Sequence, residues 1–228
     1  NLLTKKKEAL ETYKKGLMQK IFSQELRFKR EDGTDYPEWT LICIGESATI
    51  LKGKGISKAD INEFGAYECI RYGELYTVFK EVILMPHSKT NQELSDSVLS
   101  MKGDVLIPAS GETAIDMATA CSLQLDKILI GADINIVRLK NTEYSVLLAY
   151  ALTNTHRNAL ARLAQGVSVV HLYGKHISSL TIPMPSSKDE TQKIKNLLSS
   201  ISKLITEVSN EIERVNTLKK GLLQQMFV

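Results

Sequence analysis

Two stretches near the ends of this chain are nearly the same, and this repeat constrains the fold more than any other feature. Thr12–Phe22 and Thr217–Phe227 are identical at seven of eleven positions and lie 205 residues apart. The separation excludes a solenoid, whose repeats are about 20 to 50 residues long. One structural element has therefore been used twice, with a different segment between the copies.

The C-terminal copy ends a sustained heptad pattern. Its apolar residues recur at every seventh position, at Ile194, Ile201, Val208, Val215 and Leu222. Further apolar residues fill the intervening spacing of three to four, which is the pattern of a coiled-coil helix. No proline follows Pro185. We predict one helix over residues 187–227, about 60 Å long at 1.5 Å per residue.

The N-terminal copy has the same register. Leu3, Leu10 and Leu17 are seven apart, and adding the offset of 205 gives Val208, Val215 and Leu222. We therefore predict that these leucines and the heptad residues of the second helix form helix-helix packing, within the chain or with a second chain. The first helix enters the repeat at the position that matches Thr206. About twenty residues equivalent to the start of the second helix are missing, and we expect the sequence to be a piece of a longer protein.

Length and composition indicate a globular core with helical arms. The chain has 228 residues, of which 43% are hydrophobic and 24% charged. No apolar run has the 18 to 20 residues of a membrane span and no signal peptide opens the chain, so we predict a cytoplasmic protein. Cys43, Cys69 and Cys121 are odd in number and lack C-x-x-C spacing. We interpret them as buried side chains in a reducing compartment.

The net charge of +3 is unevenly distributed. Residues 1–30 carry +6 and residues 188–228 carry +2, which leaves −5 for residues 31–187. If the middle of the chain binds nucleic acid, it must do so through a local cationic cluster in an otherwise acidic domain.

The middle of the chain predicts a mixed α/β domain. After a polar linker at 27–38, short strands are predicted near 39–45, 47–51, 68–73, 103–108 and 129–139, and closing extended segments near 165–172 and 180–185. One amphipathic helix is predicted over 144–163, packed on the sheet. The fold class is α+β, and the predicted domains are residues 1–26, a helix; 27–186, a globular domain; and 187–228, a second helix.

One loop is the best candidate for contact with phosphates. Residues 52–58 contain Lys52, Lys54 and Lys58 together with two glycines, and lysine acts as a point charge against a phosphate backbone. The alternative is a solvated hairpin tip. The segment lacks the Walker A pattern, which argues against nucleotide hydrolysis.

Catalytic and metal-binding motifs are absent from the sequence. Ser110 is not in a G-x-S-x-G elbow, and His171 and His176 match no common metal-ligand spacing. There is no glycine-rich nucleoside-cofactor motif, and no Pro-Pro-aromatic tetrapeptide of the kind that amino-methyltransferases use to hold a flipped base. We therefore predict a non-catalytic chain that binds no metal and no cofactor.

Several segments together resemble a known family. They are the two copies of the Lys-Lys-Gly-Leu helix, Pro37–Trp39 at the start of the domain, Gly53–Ser57, and Ile182–Pro185 before the second helix. In their order along nearly the whole chain, they resemble the DNA sequence-specificity (S) subunit of type I restriction-modification systems.

The resemblance implies an architecture and partners. In that family two target-recognition domains alternate with two long helices, which pack as an antiparallel coiled coil and dock methyltransferase (M) and restriction (R) subunits. Each recognition domain reads one half of a bipartite site on double-stranded DNA. This chain has one such domain, so it resembles a half-subunit, or the C-terminal half of a whole one, and we predict a homodimer through the helices. S-adenosylmethionine and ATP are expected on the partner subunits, where DNA methylation would take place.

Within this reading, other polar residues of the domain become candidates for contact with bases or sugars. Arginine pairs with guanine, glutamine with adenine and glutamate with cytosine. For Arg71 and Tyr72, a half-exposed position on a sheet is the alternative. The candidates are Arg71, Tyr72, Ser110, Glu112, Thr113, Gln165, Ser168, His171, Tyr173 and Lys175.

Two other functions stay open at this point. The chain could be a coiled-coil scaffold whose central domain binds a protein partner, which the −5 charge of residues 31–187 favours. It could also be an enzyme itself, although the known motifs are missing.

Overall fold

The computed structural model describes residues 2–92, 98–166 and 168–226. Among these residues the helices are α1 (Leu2–Phe22), α2 (Ile44–Ser47), α3 (Glu74–Thr77), α4 (Ala114–Met117), α5 (Ser145–Thr153), α6 (Arg157–Arg162), α7 (Gly174–Ile177) and α8 (Lys188–Met226). The strands are β1 (Thr40–Cys43), β2 (Ala48–Lys52), β3 (Tyr67–Ile70), β4 (Val82–Ile83), β5 (Ser88–Thr90), β6 (Val98–Leu99), β7 (Asp104–Pro108), β8 (Ser110–Gly111), β9 (Cys121–Leu123), β10 (Leu129–Ile130), β11 (Ile134–Leu139), β12 (Val170–His171) and β13 (Thr181–Met184).

The chain divides into two compact units. The helical unit contains the residues up to Tyr36 and those from Gln192 onward, and the central unit is Pro37–Thr191. The predicted class, a mixed α/β domain flanked by long helices, is confirmed. The predicted C-terminal helix is present as the 39-residue α8, whereas Phe227, the last residue of the repeat, lies outside the described residues.

The helical unit buries opposite ends of its two helices. In α1 the buried residues lie in the last two turns, at Leu17, Met18, Ile21 and Phe22. In α8 they lie in the first half, at Ile194, Leu198, Ile201 and Val208. The buried part of α1 is therefore its end, whereas the buried part of α8 is its first half.

The predicted packing residues differ in burial along the heptad pattern. Leu17, Ile194, Ile201 and Val208 are buried, and Leu3 and Leu10 are half-buried. Val215 and Leu222 are exposed, as are Leu218 and Leu223 beside them. The last part of α8 therefore presents an apolar stripe that the described part of this chain does not cover.

The polar segment after α1 is folded onto the helical unit. A turn forms where the Arg30 amide donates to the Thr34 carbonyl at 2.9 Å. It leads to Tyr36, whose ring is buried between the cations of Arg30, 5.6 Å from its centroid, and Lys193, 5.3 Å away. Cation-π contacts of this kind contribute about 0.5 to 2 kcal/mol each. Tyr36 therefore belongs to the helical unit.

The central unit contains two larger sheets and two short ones. The order is β2-β11-β7-β9-β4 in the five-stranded sheet and β5-β3-β10-β6 in the four-stranded sheet. Most neighbours are antiparallel, but β4 with β9 and β3 with β10 are parallel. Two-stranded antiparallel pairs join β1 with β13 and β8 with β12. Segments predicted as strands therefore form strands, and pairings between distant segments build the sheets.

The helix predicted over residues 144–163 is wrong in two respects. It is two helices, α5 and α6, with a break at residues 154–156. At the break Asn154 turns its side-chain amide back to the Tyr150 carbonyl at 2.9 Å, and the Thr153 hydroxyl bonds to the Ala120 carbonyl at 3.0 Å. Such bonds compete with helix continuation. In addition, α5 is buried on nearly all sides because it contacts β7 and β9, so it is not amphipathic.

Candidate nucleic-acid interface

The carboxyl ends of four strands meet at one edge of the central unit. Lys52 at the end of β2 pairs with Asn135 near the start of β11, and Pro108 at the end of β7 pairs with Ile134 beside it. The ends of β3 and β10 pair with each other through Ile70 and Ile130. We call the residues that follow these strands, 53–58, 71–73, 109–113 and 131–133, the strand-end edge.

The turn at residues 131–133 joins the other three segments of this edge. Its Gly131 amide donates to the Ile70 carbonyl at 2.9 Å, and its Ala132 amide to the Gly55 carbonyl at 2.8 Å. The Asp133 carbonyl accepts from the Ala109 amide at 2.7 Å. Three segments that are far apart in sequence are thus fixed beside one another by backbone hydrogen bonds.

The lysine-rich loop is anchored to the edge and is not a free hairpin tip. The Gly53 amide donates to the Ile134 carbonyl at 2.9 Å, and the Lys54 amide to the Ile130 carbonyl at 3.1 Å. Ile56 has φ of +45°, which is strained for a β-branched residue, but its buried side chain packs with Cys69 and Leu129. The backbone is therefore held while Lys52, Lys54 and Lys58 stay exposed.

A short turn ends this loop at Asp60. Its carboxylate accepts from the Ser57 hydroxyl at 2.7 Å and the Ser57 amide at 2.6 Å. These bonds, the side-chain one first, lower the pKa of Asp60. The carboxylate next to Lys58 is thus engaged in a capping box, which fixes the direction in which the loop leaves the edge.

Arg71 follows β3 and is held by a buried acid. The Glu74 carboxylate, 2% exposed, accepts from the Arg71 amide at 2.9 Å and from Arg71 Nη2 at 3.2 Å. It also accepts from the Ser88 hydroxyl. The neighbouring Tyr72 is exposed and lies 6.5 Å from the Tyr76 ring.

The segment after β7 lies close to these tyrosines. Burial, followed by the charges of Tyr72, Glu112 and Asp116, raises the pKa of Tyr76. Glu112 is exposed. Thr113 caps α4: its hydroxyl accepts from the Asp116 amide at 3.1 Å and donates to the Asp116 carboxylate at 2.6 Å. Thr113 therefore has a structural role besides any contact with DNA.

Residues 165–166 and 168–175 are the next segment bonded to the edge. Ser110 pairs with His171 in the β8–β12 ladder, and Gln165 and His171 exchange two backbone hydrogen bonds of 2.8 and 2.7 Å. The segment is tied down because the Leu172 amide donates to the Ala109 carbonyl at 3.0 Å, and the buried Asn135 side chain donates to the Leu172 carbonyl at 2.8 Å.

An aromatic group follows on this segment. The rings of His171 and Tyr173 are stacked at 6.1 Å, and His176 meets Tyr173 edge-on at 5.7 Å. Tyr173 and Lys175 are exposed, as is Ser168. Among the described residues, no three His, Cys, Asp or Glu side chains are grouped in a way that could hold a metal ion.

All thirteen residues predicted to contact DNA thus lie on the strand-end edge or on segments bonded to it. Their contact with DNA stays a prediction. Sequence reasoning missed Glu74, Tyr76 and Asn135. The first two had a usable signal, because Glu74 is three residues after Arg71 and Tyr76 is four after Tyr72, which brings side chains together in a helical turn. Asn135 had none, since its partner Leu172 is distant in sequence.

A comparison with protein families identifies the family to which the chain belongs. Residues 36–214 match the family model described as the type I restriction modification DNA specificity domain. The chain belongs to this family. Membership confirms the resemblance, seen in the sequence, to the specificity component of type I restriction-modification systems.

Relatives of this specificity-domain family agree in fold and differ in length. The chain is 24% identical over 209 residues to the type I restriction enzyme MjaVIII specificity subunit of Methanocaldococcus jannaschii, a match that covers 90% of this chain and 46% of that protein. The S subunit structure from M. genitalium aligns with a TM-score of 0.62 at 18% identity, over 86% of this chain and 46% of that one. The HsdS subunit of Thermoanaerobacter tengcongensis gives 0.57 at 17%, over 92% and 47%.

These coverages mean that the chain spans about half the length of the relatives it matches. A further structure, from work on complex assembly and conformational transition of the type I restriction-modification system, aligns with a TM-score of 0.58 at 15% identity, over 99% of this chain and 51% of that one. Separately, none of the helices in the described residues is long and apolar enough to cross a membrane.

Proposed function

We propose that this chain reads one half of a bipartite site on double-stranded DNA for a type I restriction-modification complex. The observation that carries the proposal is the strand-end edge: three anchored segments place exposed lysines next to side chains that can bond to base edges, in a chain of the DNA specificity family. Phosphate contacts position a protein on DNA, and base contacts supply the specificity.

The lysine loop and the polar segments would divide this work. Lys52, Lys54 and Lys58 would contact phosphates, because they are exposed and their backbone is fixed. The arginine, tyrosine, glutamine and histidine candidates would reach base edges or sugars in a groove. A fixed backbone supports this role, since side chains that read bases must be held in register with the duplex.

The exposed stripe on α8 supports pairing with a second copy. Leu218 and Leu222 lie in the second copy of the repeat and Val215 lies two residues before it, and these three side chains are 42 to 63% exposed. A homodimer formed through these helices would set two reading domains at a fixed distance, as a bipartite site requires. The helices would also dock the M and R subunits, which would carry S-adenosylmethionine and ATP in the cytoplasm.

DNA reading is tested by the salt dependence of binding. Lys54→Ala removes one exposed cation, and we expect weaker binding to every duplex sequence and a salt slope smaller by about 0.9. Lys102→Ala is the matched control, since Lys102 is also exposed but precedes β7, at the opposite end of that strand from the edge. If both substitutions reduce the salt slope equally, or if neither changes it, the loop is not a phosphate contact.

Dimer formation is tested separately. We expect sedimentation of the wild-type chain at tens of micromolar to give a dimer, and Leu222→Glu to shift it to a monomer because a charge would be buried at the helix pair. A wild-type chain that stays monomeric would refute pairing through α8 and leave the DNA-reading role to the salt experiment.

One observation favours a different function. The charge of −5 over residues 31–187 suits a scaffold whose central unit binds a basic protein. A scaffold would give no mobility shift with random duplex DNA, with or without the methyltransferase subunit, whereas the DNA-reading function predicts a shift that weakens with salt.

A further inference from the structure

Arg71 forms an ion pair that uses only part of its hydrogen-bonding capacity. Its guanidinium has five N–H donors, and in the described part of the chain its acceptor is one oxygen of Glu74, reached from Nη2 at 3.2 Å. The buried Nε has no acceptor among the described residues. The side chain keeps 26% of its surface exposed, at the end of β3 on the strand-end edge.

The same domain contains a structural arginine pair for comparison. Arg138 donates from Nε and Nη2 to the two oxygens of buried Asp104 at 2.9 and 2.7 Å, and Nη2 also reaches the Leu99 carbonyl at 3.1 Å. This two-pronged pairing with a carboxylate is the strong form of the interaction. The Nε and Nη2 donors of Arg138 are therefore both paired within the chain, whereas Arg71 is paired with its acid through Nη2 alone.

Glu74 is itself fixed from several sides. Besides Arg71 Nη2, its carboxylate accepts from the Arg71 amide at 2.9 Å and from the Ser88 hydroxyl on β5. A buried carboxylate with these partners has little freedom to move, and removing a partner would leave a buried charge uncompensated. Glu74 thus fixes both the backbone and the guanidinium of Arg71.

We propose that Arg71 reads a guanine in the DNA site and that Glu74 is the positioning residue that aims its guanidinium. This inference rests on the proposed function. Guanine presents the two acceptors O6 and N7 in the major groove, and arginine binds them with two parallel N–H donors. With one hydrogen of Nη2 on Glu74, the donors of Nη1 and the second hydrogen of Nη2 are available for that pair.

The inference is tested by selecting duplexes from a randomised DNA library. The full chain, in complex with its methyltransferase subunit, is used as wild type, Arg71→Lys, Glu74→Gln and, as a matched control, Arg138→Lys. Bound duplexes are sequenced, and thermal melting identifies the variants that fold. Arg71→Lys keeps the charge and removes the planar fork. If Glu74→Gln does not fold, Ser88→Ala, which removes one support of Glu74, takes its place.

We expect the wild type to select a motif with a guanine in one half. Arg71→Lys should reduce the preference for that guanine by about 5- to 150-fold, which corresponds to 1 to 3 kcal/mol, and leave other positions and the salt slope unchanged. Glu74→Gln should reduce the preference for guanine at the same position. Arg138→Lys should select the wild-type motif, and its protein should melt at a lower temperature.

Other results would overturn the inference. If both variants select the wild-type motif at every position, the roles of Arg71 and Glu74 are refuted and the proposed function is not. A sequence preference that weakens equally at all positions would refute the same two roles, because that is the effect of a structural defect. A wild-type complex that selects no motif would refute the proposed function itself.

Discussion

Replacing Gly53 by alanine should displace the lysine loop from the strand-end edge. A Cβ atom at this position would lie 2.0 Å from the Gly131 carbonyl oxygen and 2.9 Å from that of Ile130. Both obstacles are backbone atoms of buried residues, one at the end of β10 and one in the turn that follows it, so they cannot move aside as a side chain would. The loop must therefore move by more than about 1 Å to reach ordinary contact distance.

The cost can be estimated from the bonds that such a movement breaks. Three backbone hydrogen bonds hold the loop: Gly53 to Ile134, Lys54 to Ile130, and Ala132 to Gly55, of 2.9, 3.1 and 2.8 Å. At about 0.5 to 1.5 kcal/mol each, the loss of all three lowers the free energy of unfolding by about 1.5 to 4.5 kcal/mol. If the three lysines lose their contacts with DNA phosphates together, the salt slope of DNA binding falls by about 2 to 3.

Urea denaturation and the salt dependence of duplex binding measure these two effects. Gly73→Ala is the control on the same edge, because among the described residues its Cβ would meet only the Tyr76 hydroxyl, at 3.7 Å, and its φ of −63° is ordinary. We expect it to change stability by less than about 0.5 kcal/mol. A Gly53→Ala chain with wild-type stability and slope would refute the anchoring; lost stability with an unchanged slope would refute phosphate contact by this loop.

Three further predictions concern other parts of the chain. Gly16→Ala should raise the free energy of unfolding by about 1 kcal/mol in urea titrations, because helix α1 gains a better helix former and a Cβ there meets no atom of the described residues within 4 Å; a loss of stability would contradict this. Cys43 is half-buried, contrary to the interpretation from the sequence, whereas Cys69 and Cys121 are buried. Cys43 should therefore react first with a thiol reagent at about pH 8, since burial raises the pKa of Cys69 to about 11 and also that of Cys121; equal labelling rates, read by mass spectrometry, would contradict this. Burial lowers the pKa of His156 below its usual 6.5, so the unfolded chain binds more protons and stability should fall as the pH drops through about 6.5. His156→Gln should flatten that part of the pH profile, and an identical profile would exclude the effect.

The helices were the most predictable part of the fold, for a physical reason. A heptad pattern repeated over five positions has few alternative structures, and α8 begins within one residue of the predicted start. Buried strands such as β7 and β11 were also recognisable from their β-branched runs. The break after α5 was not recognisable, because it depends on Asn154 and Thr153 bonding to carbonyl groups, one of them in the distant segment just before β9.

The sequence allowed the residue types of the candidate site to be predicted, but not the surface on which they lie together. Lysine, arginine and tyrosine were identified at turns, but the edge exists because β2 pairs with β11 and β3 with β10, and these pairings join segments separated by some 60 to 90 residues. The burial of Glu74 is equally non-local, since Ser88 on β5 helps to hold it. Local patterns carry no information on such pairings, which are decided by packing across the sheet.

The negative total charge of the central segment is a weaker argument against DNA binding than it is on the sequence alone. The buried pairs of Asp104 with Arg138 and of Glu74 with Arg71 cancel within this total and leave it at −5. The argument weakens because interactions between exposed charges are screened beyond about 8 Å at physiological ionic strength. A phosphate at the strand-end edge therefore responds to the lysines beside it more than to acids on other faces. Net charge and local potential thus predict different behaviour: a scaffold repelled by DNA would give no shift at any salt concentration, whereas binding through Lys52, Lys54 and Lys58 must be strong at low salt and weaken as salt rises.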